Sequence, residues 1–538
     1  MSIKSYNVLV VSILLFSVQS TRLFAQSADI VLINGKIFTA DAKQPFVQAL
    51  AIKGHKILAV GSNVAINKLA TTKTKKVDLQ GRTVVPGFNN AHDHPGWDAP
   101  IGKSYSYTEF NPAGPGKAAV LDSIARLAKT AKPREWISGM IGTAILFDTS
   151  MRTALDSIAP NNPVVLQIWW GHGQVINGKA LETIGLSDND KDPVGGWYIR
   201  SGSGKISGVQ ENAEAPLWFA LTQSEPENLI KGMQSFGQQQ VRAGITTVQY
   251  MGTGFKGAEA IDILGKANLP HRTRMISWPL STSGGRQLKD WNIGNAQPTS
   301  LSYFSGVKYI IDGTPMEQNS LNKKPYKEGG TWYGRLNYPE DTMRQILQEA
   351  LADDRQLMLH ITGDSSFAIV LSLMKQLAKG EVWKSKRVRI EHNNTPTITE
   401  AEVKDVRELG LIMMHTPKYC QGSPVRSLIE KGITVGIAPD GTTNPFWDIM
   451  VVTSQQTNPK ENITREQAVI AYTKTNAYAE LKEKEKGTLT KGMLADLAVL
   501  SQDIFTISTE RLPATTSIMT IVDGKIVHQQ PNSTSPGK

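Results

Sequence analysis

The chain has 538 residues, 40% of them hydrophobic and 20% charged, with a formal net charge of +10. Acids and bases are interspersed, and the densest basic run, TTKTKKVD, holds only three lysines. That is a solvated face rather than a phosphate-binding stripe, so no nucleic-acid partner is expected. Cys420 is the only cysteine, which excludes an internal disulfide.

The first 25 residues read as a signal peptide. Lys4 precedes an apolar run from Val8 to Val18, and LFA precedes Gln26, the layout of a secretory leader cleaved near Ala25. The run is too short to span a bilayer comfortably. The protein is therefore expected to be secreted or periplasmic, with no integral membrane span after cleavage. About 510 residues remain, enough for a large barrel and a second domain.

Residues 26–87 show strands joined by tight turns. DIVLINGKIFTAD carries an Asn-Gly turn between apolar runs, and AIKGHKILAVGS and KKVDLQGRTVVPG repeat the pattern. The far end answers in kind, with KGMLADLAVLSQD and SIMTIVDGKIVHQQ. Both ends, residues 26–87 and 481–538, are expected to build one small composite β-sandwich domain.

Between them, buried strands alternate with helices, which implies a parallel sheet. The strand into His92 is followed by GITTVQY, HRTRMISW, GVKYIIDG, QLMLHITGD, RVRIEHN, LGLIMMHTP and GITVGIAPDG. Eight strands favour a (β/α)8 TIM barrel over residues 88–480. A ninth candidate, NPVVLQIWW, lies in a Gly-, Trp- and Pro-rich span at about 98–240. That span is expected to be an insertion between strands 1 and 2 covering the active-site mouth.

The polar residues fall where barrel sites are built. In FNNAHDHPGW, His92 and His94 stand two apart on a strand and can share a face toward one metal, although a polar loop could hold the same pair. His360, His392 and Asp440 each end an apolar strand. Three costly polar groups at the C-terminal ends of separate strands argue for a site rather than core filling. Lys308 interrupts the apolar fourth strand. Burial lowers an ammonium pKa, and a neutral amine can add CO2 to give a carbamate that bridges two cations. The alternative is a lysine whose head snorkels to the rim.

The chain resembles the amidohydrolase superfamily, and within it the YtcJ-like (amidohydrolase 3) branch. The resemblance runs through DIVLINGKIFT, VVPGFNNAHDH, GHGQVINGKAL, GVQENA, AGITTVQY, VKYIIDG, LHITGD, RIEH, APDG and KGMLADLAVLSQD. It implies that His92 and His94 bind the more buried metal with Asp440. Lys308, N6-carboxylated, would bridge to a second metal held by His360 and His392. Zn²⁺ is the implied cofactor, one or two divalent cations per chain. It also places His172 and Glu211 near the substrate, where a satisfied histidine and an exposed lid glutamate are the alternative. Glu211 rivals Lys308 as the bridging carboxylate, but its position before strand 2 argues against that role. The local pattern NNAHDHPG replaces the commoner DSHxHL, and HITGD replaces HAxGD, without removing a ligand.

The expected activity is hydrolysis of a C–N bond in a small amide or cyclic amide by metal-bound hydroxide, with Asp440 as proton shuttle. A mononuclear metal deaminase of the same superfamily is the alternative. Such enzymes typically carry a glutamate three residues after the strand-5 histidine, where this chain has Gly363. An inactive solute-binding protein is a third reading. Homo-oligomerisation is left open by the sequence.

Overall fold

The computed structural model describes residues 27–94, 102–107, 111, 113–287, 291–294, 296–392 and 398–531. The expected signal peptide with its cleavage point near Ala25, and the start of the expected insertion near residue 98, lie outside them.

The fold is α/β, centred on eight parallel strands. These are β1 (Phe88–Asp93), β2 (Ile245–Met251), β3 (Arg272–Ser277), β4 (Ser302–Ile310), β5 (Leu357–His360), β6 (Arg389–Glu391), β7 (Ile412–His415) and β8 (Thr434–Ile437). Each pairs in parallel with the next. The sheet curls into a nearly closed barrel. Its seam, between β8 and β1, is bridged by the Asp440 N–H donating to the His92 carbonyl at 3.0 Å. The Asn476 side-chain amide spans the same seam, donating to Asn89 O at 2.8 Å and Ile437 O at 2.7 Å. Gly87 sets the entry to β1, since a Cβ there would stand 2.1 Å from Thr246 Oγ1. Only glycine lets this strand start so close to β2.

Helices cover the barrel where the sequence carries a 3.6-residue apolar period. Glu340–Ala352 opens with two acids after Pro339 and buries Met343, Ile346, Leu347 and Ala350. Glu400–Leu409 starts on a Thr399–Glu402 capping box and stops at Gly410, whose φ is 64°. Their apolar faces join the strands in one large hydrophobic cluster.

Between β1 and β2 the described residues form a separate six-stranded sheet in which Gly196–Arg200 and Ile206–Glu211 make an antiparallel pair. Two more sheets lie at the chain's ends. One has four N-terminal strands; the other has six, with Thr83–Pro86 pairing antiparallel to Leu497–Leu500. Both contribute to one hydrophobic cluster, including Leu32, Ile52, Val84, Leu497 and Ile521. No helix among the described residues is long and apolar enough to cross a membrane.

Candidate metal centre

All six residues of β1 are buried, although four are polar. A strand that buries Asn89, Asn90, His92 and Asp93 must satisfy each of them. Asn89 donates to Glu480 at 2.7 Å and Asn90 to Asp93 at 2.7 Å. His92 Nδ1 lies 2.7 Å from Glu391 Oε2, and neither side chain is exposed. Glu391 is gripped in turn by Arg389, through Nε at 2.7 Å and Nη2 at 3.1 Å. Arg389 also donates to Gln249 at 2.7 Å and to Ala91 O at 2.8 Å. This charged layer beneath the mouth fixes the ring of His92 and leaves its Nε2 as the ring's acceptor, 3.2 Å from Lys308 Nζ.

The other histidines are held in the same way. His94 Nδ1 is 3.0 Å from Thr253 Oγ1, and His392 Nδ1 is 3.0 Å from Thr416 Oγ1. The rings of His92, His392, His360 and His172 follow one another with centroids 4.7, 4.6 and 4.8 Å apart. Burial, then the neighbouring positive charges, push His92, His94, His360 and His392 well below the ordinary imidazole range. All four are therefore neutral donors at physiological pH, the form that binds metal.

Asp440 closes the group. Its Oδ1 lies 3.6 Å from His94 Nε2 and 3.9 Å from His92 Nε2, and Oδ2 lies 3.9 Å from His392 Nδ1. His92, His392 and Asp440 each bring a ligand atom to within 4.8 Å of the others. The sequence expectation had set His392 with His360 and Lys308 around a second metal; here His392 also stands next to His92, with ring centroids 4.7 Å apart. Asp440 Oδ1 and His360 Nε2 are buried without a hydrogen-bond partner. Orphaned acceptors among neutral imidazoles fit a divalent cation, and the nitrogen and oxygen donor set suits Zn²⁺.

Lys308 is 2% exposed, so it does not snorkel to the rim. Its Nζ is 3.2 Å from His92 Nε2. Burial lowers its pKa to about 8, against the pull of Glu391 and Asp440. Asp312, a nearby candidate partner, is engaged elsewhere: it accepts from the backbone N–H of Thr362, Gly363 and Leu321 and from Ser366 Oγ. Gly363 belongs to that loop, and a Cβ there would stand 2.1 Å from Leu321 O. The position cannot carry the glutamate of a deaminase.

The strand-order argument against Glu211 fails in three dimensions. The insertion folds back over the barrel, and His172 and Glu211 line the same cavity, of about 40 Å³, as Lys308, His360 and Asp440. His172 Nδ1 is 3.2 Å from both oxygens of Glu211. Burial alone would lower the pKa of His172, but Glu211, backed by Glu317 and Glu214, outweighs it and raises the value to about 10. Glu211, His392 and Asp440 all hold left-handed φ values, of 56°, 62° and 51°. Such backbone strain on non-glycine residues clusters at working sites.

Outside this cavity opens a cleft of about 850 Å³ whose walls include Trp169, Trp447, Tyr419, Met316 and Lys418. Sequence reasoning missed Glu391, Thr253, Thr416, Glu214 and Glu317. Only Glu391 left a signal, as it alternates with Arg389 on the inward face of an otherwise apolar strand.

The profile of the amidohydrolase family matches residues 75–528. An N-substituted formamide deformylase from Arthrobacter pascens is 23% identical, over 94% of this chain and 100% of its own. The Bacillus subtilis (strain 168) protein YtcJ is 22% identical, over 92% of this chain and 99% of its own. A crystal structure of an uncharacterized metal-dependent hydrolase from Pyrococcus horikoshii OT3 superposes with a TM-score of 0.66. It is 17% identical, and the match covers 89% of this chain and 99% of that one.

Proposed function

Because the chain belongs to the amidohydrolase family, we propose that this metal-dependent hydrolase cleaves the C–N bond of a small amide or cyclic amide. One observation carries the reading. Four neutral imidazoles, Lys308 and Asp440 converge at the C-terminal mouth of the barrel, and three of the imidazoles have Nδ1 fixed by Glu391, Thr253 or Thr416.

His92, His94, His360, His392 and Asp440 would hold one or two Zn²⁺ ions. When bound, such ions polarise a carbonyl and bring the pKa of water toward neutrality. The chain's own residues do the rest. Asp440, with Oδ1 free of any hydrogen bond, accepts a proton from the attacking water and delivers it to the departing nitrogen. Lys308, buried with a pKa lowered to about 8, could add CO2 through its neutral amine with loss of a proton, and the resulting N6-carboxylate would supply oxygen ligands to the ions. The aromatic cleft receives the body of the substrate and sheds its water. The two sheets at the chain's ends we take as a β-sandwich domain, supported by the cluster they share. Export to the periplasm or medium is the reading of the first 25 residues.

A deaminase remains the second reading because Glu211 and Glu214 line the cavity and could move protons from the insertion side. Metal analysis together with a panel of N-acyl amines, cyclic amides and amino-heterocycles separates the two. Metal-dependent amine or ring-opened product supports the proposal. Ammonia from amino-heterocycles alone, with the amides untouched, overturns it. N-terminal sequencing of protein recovered outside the cytoplasm should begin near Gln26.

A further inference from the structure

The insertion and a barrel loop together carry a second constellation that the hydrolytic reading does not use. His172 lies in the loop between Val164–Ile168 and Gln174–Ile176, Glu211 ends Ile206–Glu211, and Glu317 lies between β4 and the helix Glu340–Ala352. One donor atom from each comes within 4.8 Å of the other two. The spacing is informative. A charge-assisted bond from imidazole to carboxylate is short and favours one oxygen, as His92 shows with Glu391 at 2.7 Å. His172 Nδ1 stands instead 3.2 Å from both oxygens of Glu211. Two ligands each about 2.1 Å from one ion, at a tetrahedral angle, lie about 3.4 Å apart. The pair is spaced like ligands around an ion.

Charge points the same way. Glu211, Glu214 and Glu317 are 4%, 3% and 3% exposed. His172 is the one imidazole paired with them in that metal-spaced group. Burial raises the pKa of Glu214 and Glu317, so crowded carboxylates here are relieved either by taking up a proton or by a bound cation. Oε1 of Glu214 is buried without any hydrogen-bond partner, and Glu214 lines the same cavity. Glu317 is oriented in advance: Trp170 Nε1 donates to its Oε2 at 2.7 Å, and the Thr314 N–H and hydroxyl also donate to it. The left-handed φ of 56° at Glu211 keeps its side chain in place at a backbone cost.

We propose that His172, Glu211 and Glu317 bind a divalent cation of their own, distinct from the site at His92, His392 and Asp440. One nitrogen and two carboxylates, completed by water, suit Zn²⁺ or Mn²⁺. With the ion bound, its charge replaces the proton on His172. Since Glu317 belongs to the barrel and the other two to the insertion, the ion ties one to the other. The proposal does not depend on the reaction that the barrel site catalyses.

The test is an anomalous difference map from crystals of the wild-type chain grown with Zn²⁺, joined to metal content per chain in solution. The expected map has a peak bonded to His172, Glu211 and Glu317, separate from density at the barrel histidines. Glu211→Gln and Glu317→Gln should each lose one metal equivalent, whereas His92→Ala should keep that equivalent. Peaks confined to the barrel, or unchanged metal content in both glutamine variants, would overturn the proposal. If either variant fails to fold, the wild-type map alone decides. An absent barrel peak would count against the hydrolase reading and leave this one standing.

Discussion

Glu391→Gln is the substitution that most directly tests how the metal centre is held. It keeps the shape of the side chain and removes the charge. His92 then faces an amide, and Arg389 is left as a guanidinium with no carboxylate, both in a region without exposure. Removing one partner of a buried ion pair costs about 3–5 kcal/mol, a large share of the roughly 5–15 kcal/mol that holds a domain together. Losing the group that orients a ligating histidine weakens metal binding by about 10–100-fold. The two effects separate in the double variant Glu391→Gln/Arg389→Met. Removing the stranded guanidinium should recover at least half of the lost stability, as Gln249 keeps its bond from Arg274 at 3.0 Å. Metal affinity should stay low, because His92 still lacks its carboxylate. The assays are urea unfolding of the metal-free protein and competition for Zn²⁺ against a chelator. Wild-type metal affinity in Glu391→Gln, or metal affinity that recovers along with stability in the double variant, refutes the reasoning.

Lys308→Arg should lose activity and one metal equivalent, because a guanidinium forms no carbamate; Lys308→Ala should regain part of its activity with added short carboxylic acids, and normal turnover in the arginine variant would rule the bridge out. Asp440→Asn should lower kcat by about 10²–10⁴-fold with the fold intact by circular dichroism; near-normal kcat would remove Asp440 from proton transfer. His271, at the start of β3 and far from the mouth, has its pKa lowered from 6.5 to about 4 by burial. Its neutral form is favoured in the fold, so the stability it contributes is complete above pH 6.5 and is lost as pH falls toward 4. His271→Leu should therefore lose about 3 kcal/mol less than wild type between pH 7.5 and 4, read as urea midpoints; parallel losses would show that His271 does not carry this pH dependence.

The barrel was legible because most of its strands are short, largely apolar runs, and because the runs ending in His360, His392 and Asp440 place an expensive polar group where a mouth should be. Lys308 stood out for the same reason. What stayed hidden depends on distance through space. Thr253 and Thr416 are ordinary loop threonines until His94 and His392 reach them. Glu211 was discounted from its order in the chain, which says nothing about how far an insertion folds back. Asp312 is held by backbone N–H groups of the loop at residues 362–363, which no sequence pattern announces.

The seam of the barrel has a consequence for how the molecule is made. His92 and Asp440 lie on opposite sides of the gap between β1 and β8, which closes through the Asp440 N–H and the Asn476 side chain. The strand just before β1 pairs with Leu497–Leu500. A chain still being synthesised can therefore present single histidines from the moment β1 emerges, but not the pocket between them. That pocket forms only when Asp440 and Asn476, in the last fifth of the sequence, have reached β1. A metal captured early would be held by incomplete ligand sets and could exchange freely, so loading with the correct ion is deferred to the finished molecule, in whichever compartment it finishes folding.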